Sequence, residues 1–362
     1  MRRRAFITAA GATALLSGRP GTARAATGAT RRLKMVTSWP DGFPGMGTSA
    51  SRVAARIEAA TDGQISVQVF PAGELAGPFD TMDAVGSGKA DLYHSADYYQ
   101  AGKAPAFNFF TAVPFGMTAE EMAGWLQFAG GQELWDEASA RFNIKPFMCT
   151  STGTQMGGWF NREIRTPEDF EGLKIRMPGL GGEVLRRLGA VPVNVAGGEI
   201  TASLESGRLD AAEWVGPWND LAAGLHEVVR FYYYPAFHEP GGSLALGINL
   251  DVWESFTPFQ QNAVREVTTA EYTRSLSEFN VRNAEALGVM REKHGIMPKQ
   301  FSADILATIG RISGEVLAEV AARDELSRRV YDSFMQARRG AIAWAKVSQE
   351  AFTSARGLDF EY

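Results

Sequence analysis

The sequence predicts an α/β fold in two lobes, followed by a long helical region. Short apolar strands alternate with amphipathic helices over the first 250 or so residues, and this pattern starts afresh near Ile144. From Thr257 onward the apolar residues recur almost entirely at helical spacing. A chain of 362 residues is also long enough for two domains.

The first residues have the pattern of a bacterial export peptide. Three arginines at positions 2–4 precede a small apolar run at 9–16, and Ala23-Arg24-Ala25 is a small-x-small cleavage signal. The order Arg3-Arg4-Ala5-Phe6-Ile7 is typical of twin-arginine signals. The apolar run is shorter than the roughly 20 residues that a membrane anchor needs. We therefore predict a signal peptide at 1–25 and a periplasmic mature protein.

Composition argues against several classes of function. Removing residues 1–25 takes away five arginines and no acids, which lowers the formal net charge from −5 to −10 and disfavours nucleic acid as a partner. Cys149 is the single cysteine, so no intrachain disulfide is possible. The four histidines lack paired ligand spacing, and the chain has no nucleophile elbow and no P-loop. We expect neither a zinc site nor an enzyme.

In the first unit, the alternation of strands and helices predicts a mostly parallel sheet covered by helices on both faces. Predicted strands are residues 33–37, 64–70 and 92–95, and a helix over 48–60 ends at Asp62-Gly63. A capping box at Thr118 and Glu121 starts a further helix.

The second unit repeats the alternation. Thr166-Pro167 is a helix start, because a hydroxyl at the N-cap precedes proline at the first helical position. Strands are predicted at 174–176, 191–193, 211–214 and 244–249, with helices at 183–188 and 199–206. Beyond 257, one helix runs to His294-Gly295, and two apolar stripes follow at 305–320 and 326–344. These stripes either pack on the two lobes or, for the last one, meet a partner subunit.

Arg176 is the first candidate for binding. It ends a short strand before Pro178-Gly179, where its guanidinium could hold a carboxylate through two parallel hydrogen bonds. The alternative is a structural ion pair with Glu168 or Asp169.

Glu213 is the second candidate, since a carboxylate beside Trp214 and Trp218 needs a partner. Gln155 offers an amide oxygen and Trp214 a carbonyl oxygen. Oxygen donors without thiolate or imidazole favour a hard cation, Na⁺ or Ca²⁺. Alternatively, Glu213 accepts hydrogen bonds from aromatic side chains. Tyr98 and Tyr99 follow a strand at its carboxyl end, where α/β sheets bind ligands.

One resemblance extends over essentially the whole mature chain. Three runs carry it: 166–176 (TPEDFEGLKIR), 188–193 (LGAVPV) and 199–210 (EITASLESGRLD). In these runs the chain resembles the substrate-binding proteins of TRAP transporters, the tripartite ATP-independent periplasmic uptake systems. The resemblance implies a two-lobed periplasmic solute-binding fold with hinge strands, and Arg176 as the clamp for a substrate carboxylate. It also implies a small and a large integral membrane subunit as partners.

Within that family the chain is most similar to the branch that binds 2-oxo acids such as pyruvate, through 155–160 (QMGGWF), 213–217 (EWVGP) and 232–235 (YYYP). That branch binds its ligand with a cation, here with Na⁺ favoured over Ca²⁺, and pairs through a C-terminal helix into a homodimer. The predicted cargo contacts are Arg176, Gln155, Trp159, Tyr98, Tyr99 and Trp214. The implied cation ligands are Gln155, Glu213, Trp214 and Glu239.

Two departures from the pattern concern the cargo. Thr201 stands where the family often has tyrosine, and 238–241 (HEPG) carries histidine and proline where that branch has other residues. We predict pyruvate or 2-oxobutyrate as cargo. Lactate, mannitol or a haloaromatic acid, an enzyme with Glu213 as general base, and a sensor component are the alternatives.

The predicted division follows from these observations. The first lobe takes 31–150, completed by about 240–256, and the second takes 151–239, completed by part of 257–325. The remaining residues, 326–362, form a C-terminal helix and a candidate dimerisation element.

Overall fold

A computed structural model describes residues 30–361 of the chain, so the predicted signal peptide at 1–25 lies outside the described residues. Two β-sheets are surrounded by helices, with a group of long helices at the C-terminal end. The predicted α/β fold with a long C-terminal helical region is confirmed. Among residues 30–361, no helix combines the length and apolar character needed to cross a lipid bilayer.

The first sheet has the strand order β2-β1-β3-β10-β4. Its strands are β1 (Arg31–Thr37), β2 (Ile65–Phe70), β3 (Leu92–Ser95), β4 (Ile144–Gly153) and, numbered after the strands of the second sheet, β10 (Gly242–Asn249). β1 is parallel to β2 and β3, whereas β10 is antiparallel to both of its neighbours. β4 therefore runs in the same direction as β1, β2 and β3, and the predicted mostly parallel sheet is confirmed except for the single reversed strand β10.

The second sheet has the order β11-β9-β5-β8-β6-β7. Its strands are β5 (Gly158–Phe160), β6 (Lys174–Arg176), β7 (Val191–Pro192), β8 (Ala211–Ala212), β9 (Phe231–Tyr234) and β11 (Lys299–Gln300). β6 is parallel to β7 and β8, and β5 is antiparallel to β8 and β9. In this register Arg176 lies opposite Ala212, which places Glu213 beside the end of β6.

Helices occupy most of the remaining described chain. Those before residue 257 are α1 (Met46–Ala60), α2 (Thr81–Gly86), α3 (Phe107–Thr111), α4 (Ala119–Phe128), α5 (Gly131–Ala140), α6 (Gly179–Arg187), α7 (Ile200–Glu205), α8 (Pro217–Ala222), α9 (Leu225–Val228) and α10 (Leu250–Glu254). The C-terminal ones are α11 (Pro258–His294), α12 (Ala303–Ala321), α13 (Glu325–Ala345) and α14 (Gln349–Arg356).

Local signals explain several of these boundaries. The predicted capping box at Thr118 starts α4, and the Thr118 backbone N–H donates to the Glu121 carboxylate. Thr166 also forms a capping box, but it starts only a four-residue 3₁₀ turn, Pro167–Phe170. Glu171 then turns to extended geometry and Gly172 takes φ +68°, which ends the turn before a helix can form.

Two short segments connect the sheets, and we call them the connectors: residues 154–157, between β4 and β5, and residues 235–241, between β9 and β10. They are hydrogen-bonded to each other, since the Thr154 hydroxyl donates to the Pro240 carbonyl at 2.9 Å. The 37-residue α11 packs against β4 and α1, and also against α8. It therefore contacts the first sheet and a helix that follows β8 of the second sheet.

The two predicted apolar stripes differ in burial. Every predicted position of the α12 stripe is buried, from Ile305 to Val320, and α12 packs on α6. In α13 only the first half is covered, where Val330 and Phe334 are buried, whereas Trp344 is 70% exposed. Cys149 is fully buried in the core, and burial raises the pKa of its thiol above its ordinary value.

Candidate cation and carboxylate site

Arg176 lies at the end of β6 with only 2% of its side chain exposed. Nη1 donates to the Glu213 carboxylate and, at 2.9 Å, to the Glu213 carbonyl, while Nε donates to the Val195 carbonyl at 3.3 Å. The ion-pair partner is thus Glu213 rather than the alternative acids near residue 168, since Asp169 accepts hydrogen bonds from the backbone of its own turn. Burial opposes the charge of Arg176, but the nearby carboxylates and tyrosines raise its pKa above the ordinary value.

Glu213 follows β8 directly and is fully buried. Its Oε1 faces Arg176, and its Oε2 lies 3.0 Å from Nε2 of His238. The alternative, in which Glu213 accepts hydrogen bonds from aromatic side chains, is therefore wrong. Its carboxylate oxygens contact the Arg176 guanidinium and the His238 imidazole. A fully buried carboxylate with such partners stays oriented, because both of its oxygens are held.

Gln155 and Glu239 bring the two connectors together at this point. Nε2 of Gln155 donates to Oε2 of Glu239 at 2.6 Å, and the backbone N–H of Gln155 donates to the Glu239 carbonyl at 3.3 Å. Among the described residues, Oε1 of Gln155 has no hydrogen-bond partner although it is buried. Burial, reinforced by the charge of Glu213, raises the pKa of Glu239 to about 7, while His238, Tyr98 and Arg176 oppose that rise.

His238 is the site residue that the sequence reasoning did not include. In the described chain, one metal-competent group of three or more acids, histidines or cysteines is found: Glu213, His238 and Glu239, whose ligand atoms all lie within 4.8 Å of one another. Nδ1 of His238 is buried without a hydrogen-bond partner among the described residues. The available signal was the unusual run at 238–241, which marked a local change without showing where the imidazole points.

Aromatic rings cover the guanidinium. The Tyr99 hydroxyl lies 3.4 Å from Nη2 of Arg176, and the rings of Tyr98 and Tyr99 are in edge contact at 4.9 Å between centroids. The indole of Trp214 lies 5.1 Å from the Arg176 guanidinium carbon. A Cβ on Gly197 would be 2.0 Å from that indole, so glycine is required there for the ring to occupy its position.

Trp159 is placed differently from the other predicted wall residues. Its indole N–H donates to Asp220 at 2.9 Å, and its ring stacks on Tyr232 with centroids 4.0 Å apart. Asp220 also accepts a hydrogen bond from the Val215 backbone at 3.2 Å, and burial raises its pKa to about 7. Trp159 therefore contacts a residue that supports the segment after Trp214. Thr201, which stands where the family often has tyrosine, donates its hydroxyl to the Ala223 carbonyl at 2.7 Å.

These groups can bind a small anion and a cation side by side. An arginine with one loosely engaged nitrogen suits a carboxylate, and two buried carboxylates with an amide oxygen suit a cation. The set lies at the carboxyl ends of β6 and β8 and on the connectors between the sheets. A two-sheet α/β protein with such a site between its halves has the architecture of an extracellular solute-binding protein.

Comparison with known families gives the same class. Residues 35–324 match the DctP model, described as bacterial extracellular solute-binding protein, family 7. The chain belongs to this family, whose members serve as the solute-binding subunits of TRAP transporters, and the resemblance predicted from the sequence is confirmed.

Relatives with assigned ligands cover most of the chain. A monocarboxylate 2-oxoacid-binding periplasmic protein of Nostoc sp. is 37% identical over 89% of this chain and 88% of its own length. A TRAP solute-binding protein of Pseudoalteromonas atlantica, solved with sodium and pyruvate, is 32% identical with a TM-score of 0.87 over 92% of this chain and all of its own. One from Bordetella bronchiseptica, a dimer with copurified calcium and picolinate, is 30% identical with a TM-score of 0.88 over 90% of this chain and 97% of its own.

Proposed function

We propose that this protein is the periplasmic receptor of a TRAP transporter and binds a small 2-oxo monocarboxylate, pyruvate or 2-oxobutyrate, together with a cation. The observation that carries the proposal is the buried cluster in which Arg176 and Glu213 face each other beside Glu239 and Gln155. Cargo would take Nη2 of Arg176, and the cation would take oxygens of Glu213, Glu239, Gln155 and the Trp214 carbonyl.

The charges in the cluster favour one carboxylate rather than two. Within residues 30–361, the positive charge of Arg176 acts on the Glu239 carboxyl group and on the hydroxyl groups of Tyr98 and Tyr99. A second carboxylate on the cargo would have no such partner, and an unpaired buried charge is costly. A cation beside the first carboxylate can also bind an adjacent 2-oxo oxygen, which closes a five-membered chelate. The sodium and pyruvate bound by the Pseudoalteromonas relative support this arrangement.

Isothermal titration calorimetry tests the proposal. Protein dialysed against chelator is titrated with pyruvate, 2-oxobutyrate, lactate, succinate and malate in sodium, calcium or choline buffer. We expect the 2-oxo acids to bind at least about tenfold more tightly than the dicarboxylates, a difference of about 1.4 kcal/mol or more. We also expect binding to weaken in choline, because cation and anion neutralise each other. Tightest binding of a dicarboxylate, or acid binding that is indifferent to the cation, would contradict the proposal.

We further propose that the protein binds its cargo without transforming it. Both oxygens of Glu213, the candidate general base, are engaged by Arg176 and His238, which supports a binding role for this carboxylate. Incubation with pyruvate followed by NMR of the solution should show unchanged acid. Turnover would favour the enzyme alternative.

Export and assembly complete the proposal. We infer twin-arginine export to the periplasm, lobes built on the two sheets with the predicted bounds, and delivery to a small and a large membrane subunit. We also infer a homodimer through the C-terminal helices, because Trp344, Val347 and Phe352 are each at least 66% exposed and the Bordetella relative was solved as a dimer. Light scattering should give twice the monomer mass, and deletion of residues 346–362 should reduce the measured mass to that of a single chain.

A further inference from the structure

The imidazole of His238 changes the chemistry of the cation site. Sequence reasoning predicted oxygen ligands alone, and hence Na⁺ or Ca²⁺. The structure places Nε2 of His238 3.0 Å from Oε2 of Glu213, in one group with Glu239. All three side chains are buried, with 0% of Glu213, 2% of His238 and 6% of Glu239 exposed. One nitrogen and two carboxylates suit first-row divalent metals better than alkali or alkaline-earth ions.

We propose, on the basis of the proposed function above, that Glu213, His238 and Glu239 form a binding site for a first-row divalent metal such as Mn²⁺, Co²⁺ or Zn²⁺. The cargo acid would then bind as the chelating partner of that metal. The cations bound by the two relatives solved above are calcium and sodium, which do not belong to this metal class.

The spacing of the ligand atoms fits a coordination shell. With metal–ligand distances of about 2.1 Å in an octahedral shell, neighbouring ligand atoms lie about 3.0 Å apart. That is the distance between Nε2 of His238 and Oε2 of Glu213. Glu213 meets Arg176 through its other oxygen, Oε1, so the ion pair and a metal bond are compatible. The hydrogen bond of His238 is the contact that a metal would replace.

One unsatisfied group points to a missing ligand. Oε1 of Gln155 is buried without a hydrogen-bond partner in the described chain. The Gln155 amide is already in the group, because its Nε2 donates to Glu239, and a rotation of the amide would present its oxygen to a metal instead. Buried polar atoms of this kind are normally satisfied, so their presence here indicates a ligand.

When both carboxylates are ionised, the charges of the group favour a divalent ion. Glu213 and Glu239 then contribute two negative charges and Arg176 contributes one positive charge. A divalent metal with a monocarboxylate makes this set neutral, whereas a monovalent ion leaves a net negative charge in a buried site. Such an uncompensated charge is unfavourable away from water.

Cobalt binding tests the proposal. The chain contains an imidazole pair outside the proposed site, His226 and His294, whose ring centroids are 4.2 Å apart, so both are first replaced in a His226→Gln/His294→Gln background. This variant is dialysed against chelator and titrated with Co²⁺ or Ca²⁺, with and without pyruvate, by calorimetry and visible ligand-field absorption. We expect one Co²⁺ per chain, bound more tightly than Ca²⁺. Adding His238→Gln should weaken Co²⁺ at least about tenfold and leave Ca²⁺ within about twofold.

The outcomes separate this inference from the proposed function. Pyruvate binding with Na⁺ or Ca²⁺ but no Co²⁺ site, or a Co²⁺ preference that His238→Gln leaves unchanged, overturns the inference and leaves the receptor intact. A Co²⁺ site that needs His238, without pyruvate binding in any metal, supports the inference and overturns the 2-oxo acid assignment. If His238→Gln fails to fold, NMR of the Co²⁺-loaded background variant decides: an exchangeable, hyperfine-shifted imidazole N–H supports His238 as ligand, and its absence overturns it.

Discussion

Replacing Arg176 should affect stability as well as binding, because the structure pairs it with a fully buried carboxylate. In Arg176→Met, Glu213 keeps its charge but loses its guanidinium, and the Val195 carbonyl loses a donor. Removing one partner of a buried ion pair costs about 3–5 kcal/mol, since the other charge stays uncompensated. The thermal midpoint of a chain of this length should therefore fall by roughly 4–7 °C, and pyruvate binding should be lost.

A second substitution separates the two effects. Arg176→Met/Glu213→Gln removes both charges and should recover more than half of the lost stability, while pyruvate binding stays absent. The matched control is Arg186→Ala on α6, which removes an arginine that is 59% exposed and should change the midpoint by less than about 1 °C. Differential scanning calorimetry gives the midpoints. An Arg176→Met protein as stable as the wild type would show that the buried pair is absent in solution, and the reasoning would fail.

Three further predictions use other positions. Gly197→Ala should push the Trp214 indole out of place, because the new Cβ would lie 2.0 Å from it, and weaken pyruvate binding severalfold; Gly198→Ala, whose Cβ meets nothing closer than 3.5 Å, should bind normally in the same calorimetric titration. Tyr99→Phe removes a hydroxyl 3.4 Å from the buried guanidinium and should cost about 1 kcal/mol of binding, and an unchanged affinity would show that this contact is idle. Burial raises the pKa of Asp97 from 3.8 to about 6, so its stabilising contribution is complete below the lower value and is lost as pH rises through the higher one. Urea unfolding should therefore show Asp97→Asn gaining on the wild type by up to about 3 kcal/mol across that window, and a constant difference would refute the shift.

Much of the fold could be predicted from local signals. Hydroxyl caps, glycine stops and apolar periodicity act within a few residues, so the start of α4 at Thr118 and the end of α11 at Gly295 could be predicted from sequence. The antiparallel entry of β10 could not, because strand direction depends on which lobe the chain returns to. The short turn after Thr166 has the same start signal as a helix, and only the following glycine stops it.

The site was predictable in part for a related reason. Arg176, Glu213 and Gln155 stand in runs with recognisable neighbours, and the structure brings all three together. His238 was not predicted as a site residue, because a search for paired histidines compares positions close in sequence. Its partner Glu213 is 25 residues away, at the end of another strand. Trp159 stays a predicted cargo contact; its ring is held by Asp220 and Tyr232, which alternation along a three-residue strand that is buried on both faces could not predict.

A cation bound as proposed would have a mechanical effect on the connectors at 154–157 and 235–241. Gln155 and Glu239 lie one on each connector, so an ion held by both would fasten the two connectors to each other. Arg176 and Trp214, by contrast, lie within the second sheet and its following loop. An ion that also bound Glu213 would tie both connectors to the end of β8, so that removal of the ion would loosen the connectors and leave Arg176 in its strand.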